Sequence, residues 1–399
     1  MDGIYLDYAA TSAVRPEEVI EAVTRYLRDV GATPGRAGHH LAVEAGRITL
    51  RCRVALAELF GARGDPGRIA FFPNATYALN AALFGLLRPG DRLVRTAYDH
   101  NAVRRPAALL SARGVEQTVT GGHPDGSINL DELDAALSGD GLARGGKPAR
   151  LLCIPHASNV LGTALPVGEM AERAHAHGTI VIVDAAQSAG HLPIDVGAMG
   201  IDVLAFTGHK GLLGPQGTGG LYVRPGVEID PVAAGGTGGD SMPLEMPAAM
   251  PDRLEPGTLN GPGIAGLLAG VRWLQARGVD AEHAHEAALK QRLRERLMSI
   301  GGVRVLSPAA PGGVGIVTIA TEGITPERLA WRLDHEHGVM TRAGLHCAPE
   351  AHQLLCVAET GAVRFSVGWA TTAAEVDTAA AAVASILEDA GETSAMARG

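Results

Sequence analysis

Lys210 stands in a chain nearly stripped of lysine, with only Lys147 and Lys290 beside it. Arginine supplies the rest of the positive charge, and a guanidinium stays protonated, so it cannot act as an amine nucleophile. Lys147 lies in the polar stretch Arg144-Gly145-Gly146-Lys147-Pro148 and reads as a loop residue. Lys290 opens the charged helical pattern Lys290-Gln291-Arg292-Leu293-Arg294-Glu295-Arg296 and reads as part of a solvated face. Lys210 follows the apolar run Val203-Leu204-Ala205-Phe206 and then Thr207-Gly208-His209. An amine at the end of a buried strand can form a Schiff base with an aldehyde once its pKa is lowered.

Other strand ends carry chemistry of the same kind. Arg68–Phe72 reads as a strand, and after it Asn74-Ala75-Thr76 opens a helix, a ready site for a phosphate. Taken alone, that pattern also fits an ordinary Asn or Thr cap. Arg92–Ala97 is followed by Tyr98-Asp99-His100-Asn101, and Arg150–Pro155 by His156-Ala157-Ser158-Asn159. Thr179–Val183 runs straight into Asp184-Ala185-Ala186-Gln187, so Asp184 sits almost inside the core and needs a partner for its charge. Asp202–Thr207 delivers His209 and Lys210. A pyridine cofactor that stores electrons needs a Lys for its aldehyde and an Asp for its ring nitrogen. It also needs polar groups at the ring hydroxyl and hydroxyl or helix-end donors for a phosphate. All four are present.

The four cysteines read differently from one another. Cys52, Cys153 and Cys356 lie in helical or apolar surroundings and read as small hydrophobes. Cys347 lies in Thr341-Arg342-Ala343-Gly344-Leu345-His346-Cys347-Ala348-Pro349. A cation five residues before it and a His beside it favour the thiolate. The Gly and Pro punctuation suits a mobile loop.

These residues must be positioned by short apolar strands alternating with amphipathic segments such as Tyr77–Leu87 and Gly168–His177. That rhythm predicts a mostly parallel sheet with helices on both faces. Ligands of such sheets collect at the carboxyl ends of the strands. Ala233–Pro262 reads as a long irregular connection. Helices over Gly263–Arg277 and Asp280–Ile300, with strands at Val303–Leu306, Val314–Ala320 and Val363–Val367, imply a second α+β domain. The division predicted is residues 15–262 as a large domain, 1–14 and 263–390 as a small one, and 391–399 as a disordered tail. A net charge of -9 and 4% aromatic residues argue against nucleic-acid binding. No secretory signal or membrane span is visible, and the cysteine spacing fits neither a disulfide framework nor a zinc site. A cytoplasmic protein without a metal is expected.

Taken together, Tyr5-Leu6-Asp7-Tyr8-Ala9-Ala10-Thr11, His156-Ala157-Ser158-Asn159-Val160-Leu161-Gly162-Thr163, Val183-Asp184-Ala185-Ala186-Gln187-Ser188 and Thr207-Gly208-His209-Lys210-Gly211 resemble one family. It is the cysteine desulfurase and selenocysteine lyase family of class V aminotransferase-fold enzymes, and within it the group II desulfurases. The resemblance implies fold type I of the pyridoxal 5'-phosphate (PLP) dependent transferases, like aspartate aminotransferase. That fold has a large domain built on a mostly parallel seven-stranded sheet and a smaller α+β C-terminal domain.

The resemblance also implies roles. Lys210 takes the cofactor aldehyde, Asp184 pairs the pyridinium nitrogen, and His100 stacks on the ring and relays protons. Asn159 and Gln187 contact the ring hydroxyl side, and Ala75, Thr76, Thr207 and His209 hold the phosphate. Cys347 falls on the family's persulfide-forming nucleophile. Arg364, with Arg342, Ala10 and Asn159, would hold the substrate. Thr258, in Glu255-Pro256-Gly257-Thr258-Leu259-Asn260, matches the segment that reaches the partner subunit's phosphate in a homodimer. The activity implied is conversion of L-cysteine to L-alanine, with sulfur passed from Cys347 to a thiol or an acceptor protein. A selenocysteine lyase, or a C–S lyase acting on a cysteine conjugate, is the nearest alternative. Tyr8 in the opening motif and Thr33-Pro34-Gly35-Arg36 depart from the family pattern on the substrate side. A nicotinamide-binding reading of Gly211–Gly220 lacks the required glycine spacing. A cofactor-free interaction protein would not need Lys210, Asp184 and His209.

Overall fold

The computed structural model describes residues 3–34, 38–62, 64–139, 146–239, 241–309 and 312–396. The strands are β1 (Ile4–Tyr5), β2 (Ile69–Phe72), β3 (Arg92–Thr96), β4 (Glu116–Thr120), β5 (Leu151–Pro155), β6 (Ile180–Asp184) and β7 (Val203–Thr207). After them come β8 (Gly219–Val223), β9 (Val303–Val305), β10 (Ile316–Thr321), β11 (Val339–Met340), β12 (Arg342–Gly344) and β13 (Ala362–Ser366). The helices are α1 (Glu17–Arg25), α2 (His40–Leu59), α3 (Ala75–Leu86), α4 (Asn101–Ser111), α5 (Leu130–Ser138) and α6 (Val167–Ala176). They continue with α7 (Gly261–Arg277), α8 (Val279–Met298), α9 (Pro326–His337), α10 (Pro349–Leu354) and α11 (Ala373–Met396).

The main sheet has the order β2-β8-β7-β6-β5-β3-β4. β4, β3, β5, β6 and β7 are parallel neighbours, whereas β8 runs antiparallel to both β7 and β2. Two reversals restore the direction, so β2 ends at the same edge as the parallel strands. The strand sequences are near-continuous apolar runs because both faces are covered. Leu204 and Phe206 of β7 pack with α2, α6 and α7 on one face. Val203 and Ala205 pack with α3 and α4 on the other. All four are fully buried, and each large side chain so placed contributes about 1.5–3 kcal/mol.

A second sheet, β12-β13-β10-β9, is antiparallel. It packs on α8, α9 and α11 through Leu293, Leu333, Phe365 and Val383. The N-terminal strand joins this part of the molecule, as β1 pairs with β11 and Asp7 bridges Ser366.

The five strands of the large sheet that the sequence marks all form, each within a residue or so of the expected ends. β4 and β8 were not foreseen. β4 is polar and half exposed at a sheet edge, and β8 begins with Gly219-Gly220. Those glycines lie where a Cβ would meet Phe206 and the backbone of its neighbours. Residues 233–262 remain irregular up to the start of α7, apart from one short turn at Asp252–Leu254 and residue 240, which lies outside the described set. α11 runs as far as Met396, and residues 397–399 lie outside the described residues.

Two readings of single residues are corrected. Lys290 is not on a solvated face: it is buried and its Nζ donates to the Gly162 carbonyl at 3.1 Å. Cys356 is exposed at a positive-φ turn rather than packed in a core. Among the described residues, no helix is long and apolar enough to cross a membrane.

Candidate active site

A cavity of about 300 Å³ opens at the carboxyl edge of the main sheet. Ala10, Ala75, Thr76, His100, Asn159, Asp184, Gln187, Thr207, His209, Lys210, Arg342 and Arg364 all line it. Residues far apart in sequence meet there because each parallel strand ends at that edge.

Lys210 lies in the turn after β7. The N-terminal segment braces this turn: Ser12 Oγ donates to the Lys210 carbonyl at 2.9 Å, and the Ser12 amide to the His209 carbonyl at 2.8 Å. Burial, and then the Arg364 guanidinium, pull the Lys210 amine down to about 8, while Asp184 resists. A neutral, nucleophilic amine is therefore within reach at physiological pH.

Asp184 ends β6, paired across the sheet with Pro155 and Ala205. Its Oδ1 accepts the Ala186 amide at 2.9 Å. Burial raises its pKa despite that hydrogen bond and the nearby Lys210. A cationic N–H donor in the cavity would reverse the shift.

His100 caps α4, and its Nδ1 accepts the Ala102 amide at 3.0 Å. That bond fixes the neutral tautomer with its proton on Nε2. Burial, and then Lys210, pull the ring down to about 4, so the neutral form holds. His209 is pulled down to about 4 by burial and Lys210, with Nδ1 at 3.1 Å from Thr11 Oγ1. Asn74 caps α3 by accepting the Tyr77 amide at 3.1 Å, and Asn74, Ala75 and Thr76 at this helix start line the cavity. Gln187 Nε2 donates to the Ala9 carbonyl at 3.0 Å.

Arg364 is 2% exposed on β13, with Nη2 on Asp7 Oδ1 at 3.0 Å and Nη1 on the Asn159 carbonyl at 3.1 Å. Its buried Nε has no hydrogen-bond partner. Such an orphan donor beside a cavity suits an added carboxylate. Asp7 of the opening Tyr5–Thr11 segment is thus the ion-pair partner of Arg364.

Two expected residues stand apart from the cavity wall. Cys347 is partly exposed, next to His346, which does line it. The Cys347 carbonyl accepts the Asn101 amide at 2.7 Å, and the His346 carbonyl accepts Asn159 Nδ2 at 2.6 Å. The loop is docked, not free. Thr258 is exposed and lies outside the cavity. Its segment is anchored at Glu255, whose carboxylate takes both Arg53 nitrogens at 2.8 and 2.7 Å.

The donor set fits a phosphorylated pyridine aldehyde. It offers an amine of lowered pKa, a buried carboxylate that gains from a cation, and helix-end amides with threonine hydroxyls at the phosphate side.

The class V aminotransferase family model matches residues 4–378. The chain belongs to that family, and its cofactor is PLP. Within the family it is 33% identical over 385 residues to a probable cysteine desulfurase of Methanothermobacter thermautotrophicus, covering 94% of this chain and 92% of that protein. It is 34% identical to probable cysteine desulfurase 2 of Mycobacterium leprae, covering 96% and 91%. The apo structure of a cysteine desulfurase from Thermococcus onnurineus superposes with a TM-score of 0.89 at 31% identity, covering 97% of this chain and 95% of that one. A cysteine desulfurase of Escherichia coli superposes with a TM-score of 0.86 at 27% identity, covering 97% and 95%. The type I fold expected from the sequence is thereby established.

Proposed function

We propose that this protein is a PLP-dependent cysteine desulfurase that converts L-cysteine to L-alanine and carries the sulfur on Cys347. The observation that carries the reading is one cavity that joins Lys210, Asp184 and Arg364, with the Cys347 turn docked at its rim by Asn101 and Asn159. Lys210 and Asp184 would hold the aldehyde and the ring nitrogen, His100 would stack on the ring, and Asn159 and Gln187 would face its hydroxyl side. Ala75, Thr76, Thr207 and His209 would hold the phosphate. Bound PLP supplies a sink for the electrons left when the substrate Cα loses its proton.

The chain's own residues do the rest. Arg364 and Arg342 grip the substrate carboxylate, beside Ala10. The Lys210 amine takes the Cα proton, and His100 passes protons through Nε2. The Cys347 sulfur attacks the substrate sulfur: an S–S bond forms, the Cβ–S bond breaks, and Cβ gains a proton. Enzyme thiol plus cysteine thus becomes enzyme persulfide plus alanine, with no outside oxidant. A small thiol or an acceptor protein then collects the sulfur.

We read the protein as a cytoplasmic homodimer in which Thr258 reaches the partner's phosphate site. Support comes from the exposed Met242 and Leu244 on the irregular connection before it. The division into residues 15–262 and a smaller unit of 1–14 with 263–390 belongs to the same reading.

The test is Cys347→Ala. Cofactor and cysteine should still bind, and alanine per active site should fall to background. Native-rate alanine from this variant would replace the desulfurase reading with the C–S lyase one.

A further inference from the structure

Cys347 occupies a costly backbone geometry. His346 and Cys347 are consecutive non-glycine residues at φ 49° and 56°. Such a conformation is strained for a residue with a side chain and persists only where its surroundings over-determine it. The carbonyl contacts to Asn159 and Asn101 hold the turn from one side. The other side is held by α10, which starts at Pro349 and places Glu350 in its first turn.

Glu350 is bound by two guanidinia from the main sheet layer. Arg95 Nη1 donates to Oε2 at 2.6 Å and Nη2 to Oε1 at 2.9 Å, while Arg104 Nε lies 3.1 Å from Oε1. Arg95 is 5% exposed, deep in β3. A buried guanidinium needs an anion. The other carboxyl near it, Asp99, lies farther off at 4.0 Å, and burial pushes its pKa up to about 8. Glu350 is therefore its counter-ion. β3 leads to His100, and Arg104 lies on the helix that His100 caps. The arginines that bind Glu350 thus belong to the framework that places the cofactor-facing histidine.

We propose that Glu350 is a positioning residue that ties the Cys347 turn to the His100 framework and sets the thiol over the bound substrate. The proposal rests on the desulfurase reading for its effect on sulfur transfer. It reaches Cys347 placement independently, because the tether exists without substrate.

The experiment compares wild type with Glu350→Gln in three measurements. Cysteine desulfuration should fall roughly 10- to 100-fold in kcat with little change in KM, the penalty of a misplaced reacting group. Elimination of chloride from β-chloroalanine, which needs Lys210 but no thiol attack, should stay within about twofold, because its reacting groups keep their placement. Alkylation of Cys347 by iodoacetamide, mapped by peptide in cofactor-free protein, should accelerate severalfold. Equal loss of both reactions would mark a merely structural role and overturn the proposal. So would an unchanged alkylation rate, and that rate decides the matter alone if wild type makes no alanine from cysteine. If Glu350→Gln does not fold, Arg104→Gln removes only the more exposed arm and should move the same quantities in the same direction.

Discussion

Asp184 and Lys210 are matched by environment more than by contact. One is a carboxylate whose burial raises its pKa, the other an amine whose burial lowers it, and they share one cavity. Burial thus pushes each toward its neutral form, and a bound cation beside Asp184 would restore the carboxylate. Asp184→Asn keeps the shape and the Ala186 contact but removes the charge. Losing one desolvated charge-assisted hydrogen bond costs about 2–4 kcal/mol, so kcat should drop roughly 30- to 900-fold. Borohydride trapping followed by peptide mapping should still find the cofactor on Lys210 in this variant. A near-native kcat would reduce Asp184 to a strand-end cap, and an adduct on Lys147 or Lys290 would displace Lys210 from its role.

At the scale of elements, β3 carries a charge arrangement unusual for a central strand. Arg92 and Arg95 are both buried in it, and Asp99 follows at its end. Asp99 takes the Thr96 amide and hydroxyl at 3.1 Å each, yet burial still raises its carboxyl from 3.8 to about 8. A folded-state pKa above the unfolded one gives a stabilising term that is complete below about pH 4. That term is lost as pH rises toward 8. Asp99→Asn lacks it. The stability of wild type relative to Asp99→Asn, measured by urea unfolding, should therefore shrink steadily between pH 5 and pH 8. Parallel curves would show that Asp99 is ionised in the folded protein.

Across the whole molecule, the sheet edge, the second sheet and the long connection divide the work. α8 reaches from the second sheet to the Asn159 loop through Lys290 and the Gly162 carbonyl, which ties the Arg364 side to the cofactor side. The connection before α7 behaves otherwise, with Met242 87% and Leu244 100% exposed. Apolar side chains so displayed call for a cover. In the proposed homodimer, Met242→Glu with Leu244→Glu should shift the light-scattering mass from dimer to monomer. Cofactor loading should fall with it if Thr258 serves the neighbouring site. A monomeric wild type would remove both expectations.

What the sequence by itself determined is what local pattern can carry. Apolar runs ending in Asp184, His209 or Asn159 announce buried strands and polar strand ends. Parallel topology then brings those ends to one edge, so Lys210, Asp184, His100, Ala75, Thr76 and Thr207 line one cavity. Cys347 was legible by its neighbours, but its setting was not: a Gly- and Pro-punctuated segment suggested mobility, and distant carbonyl and ion-pair contacts pin it. Arg95 and Glu350 are 255 positions apart, and Lys290 and Gly162 are 128 apart, so no periodicity links either pair. The charged pattern of α8 pointed Lys290 to solvent, and only packing against the Gly162 loop turned it inward. Pairings of this kind are decided by tertiary structure, because the free energy of burying a charge depends on which partner the fold brings to it.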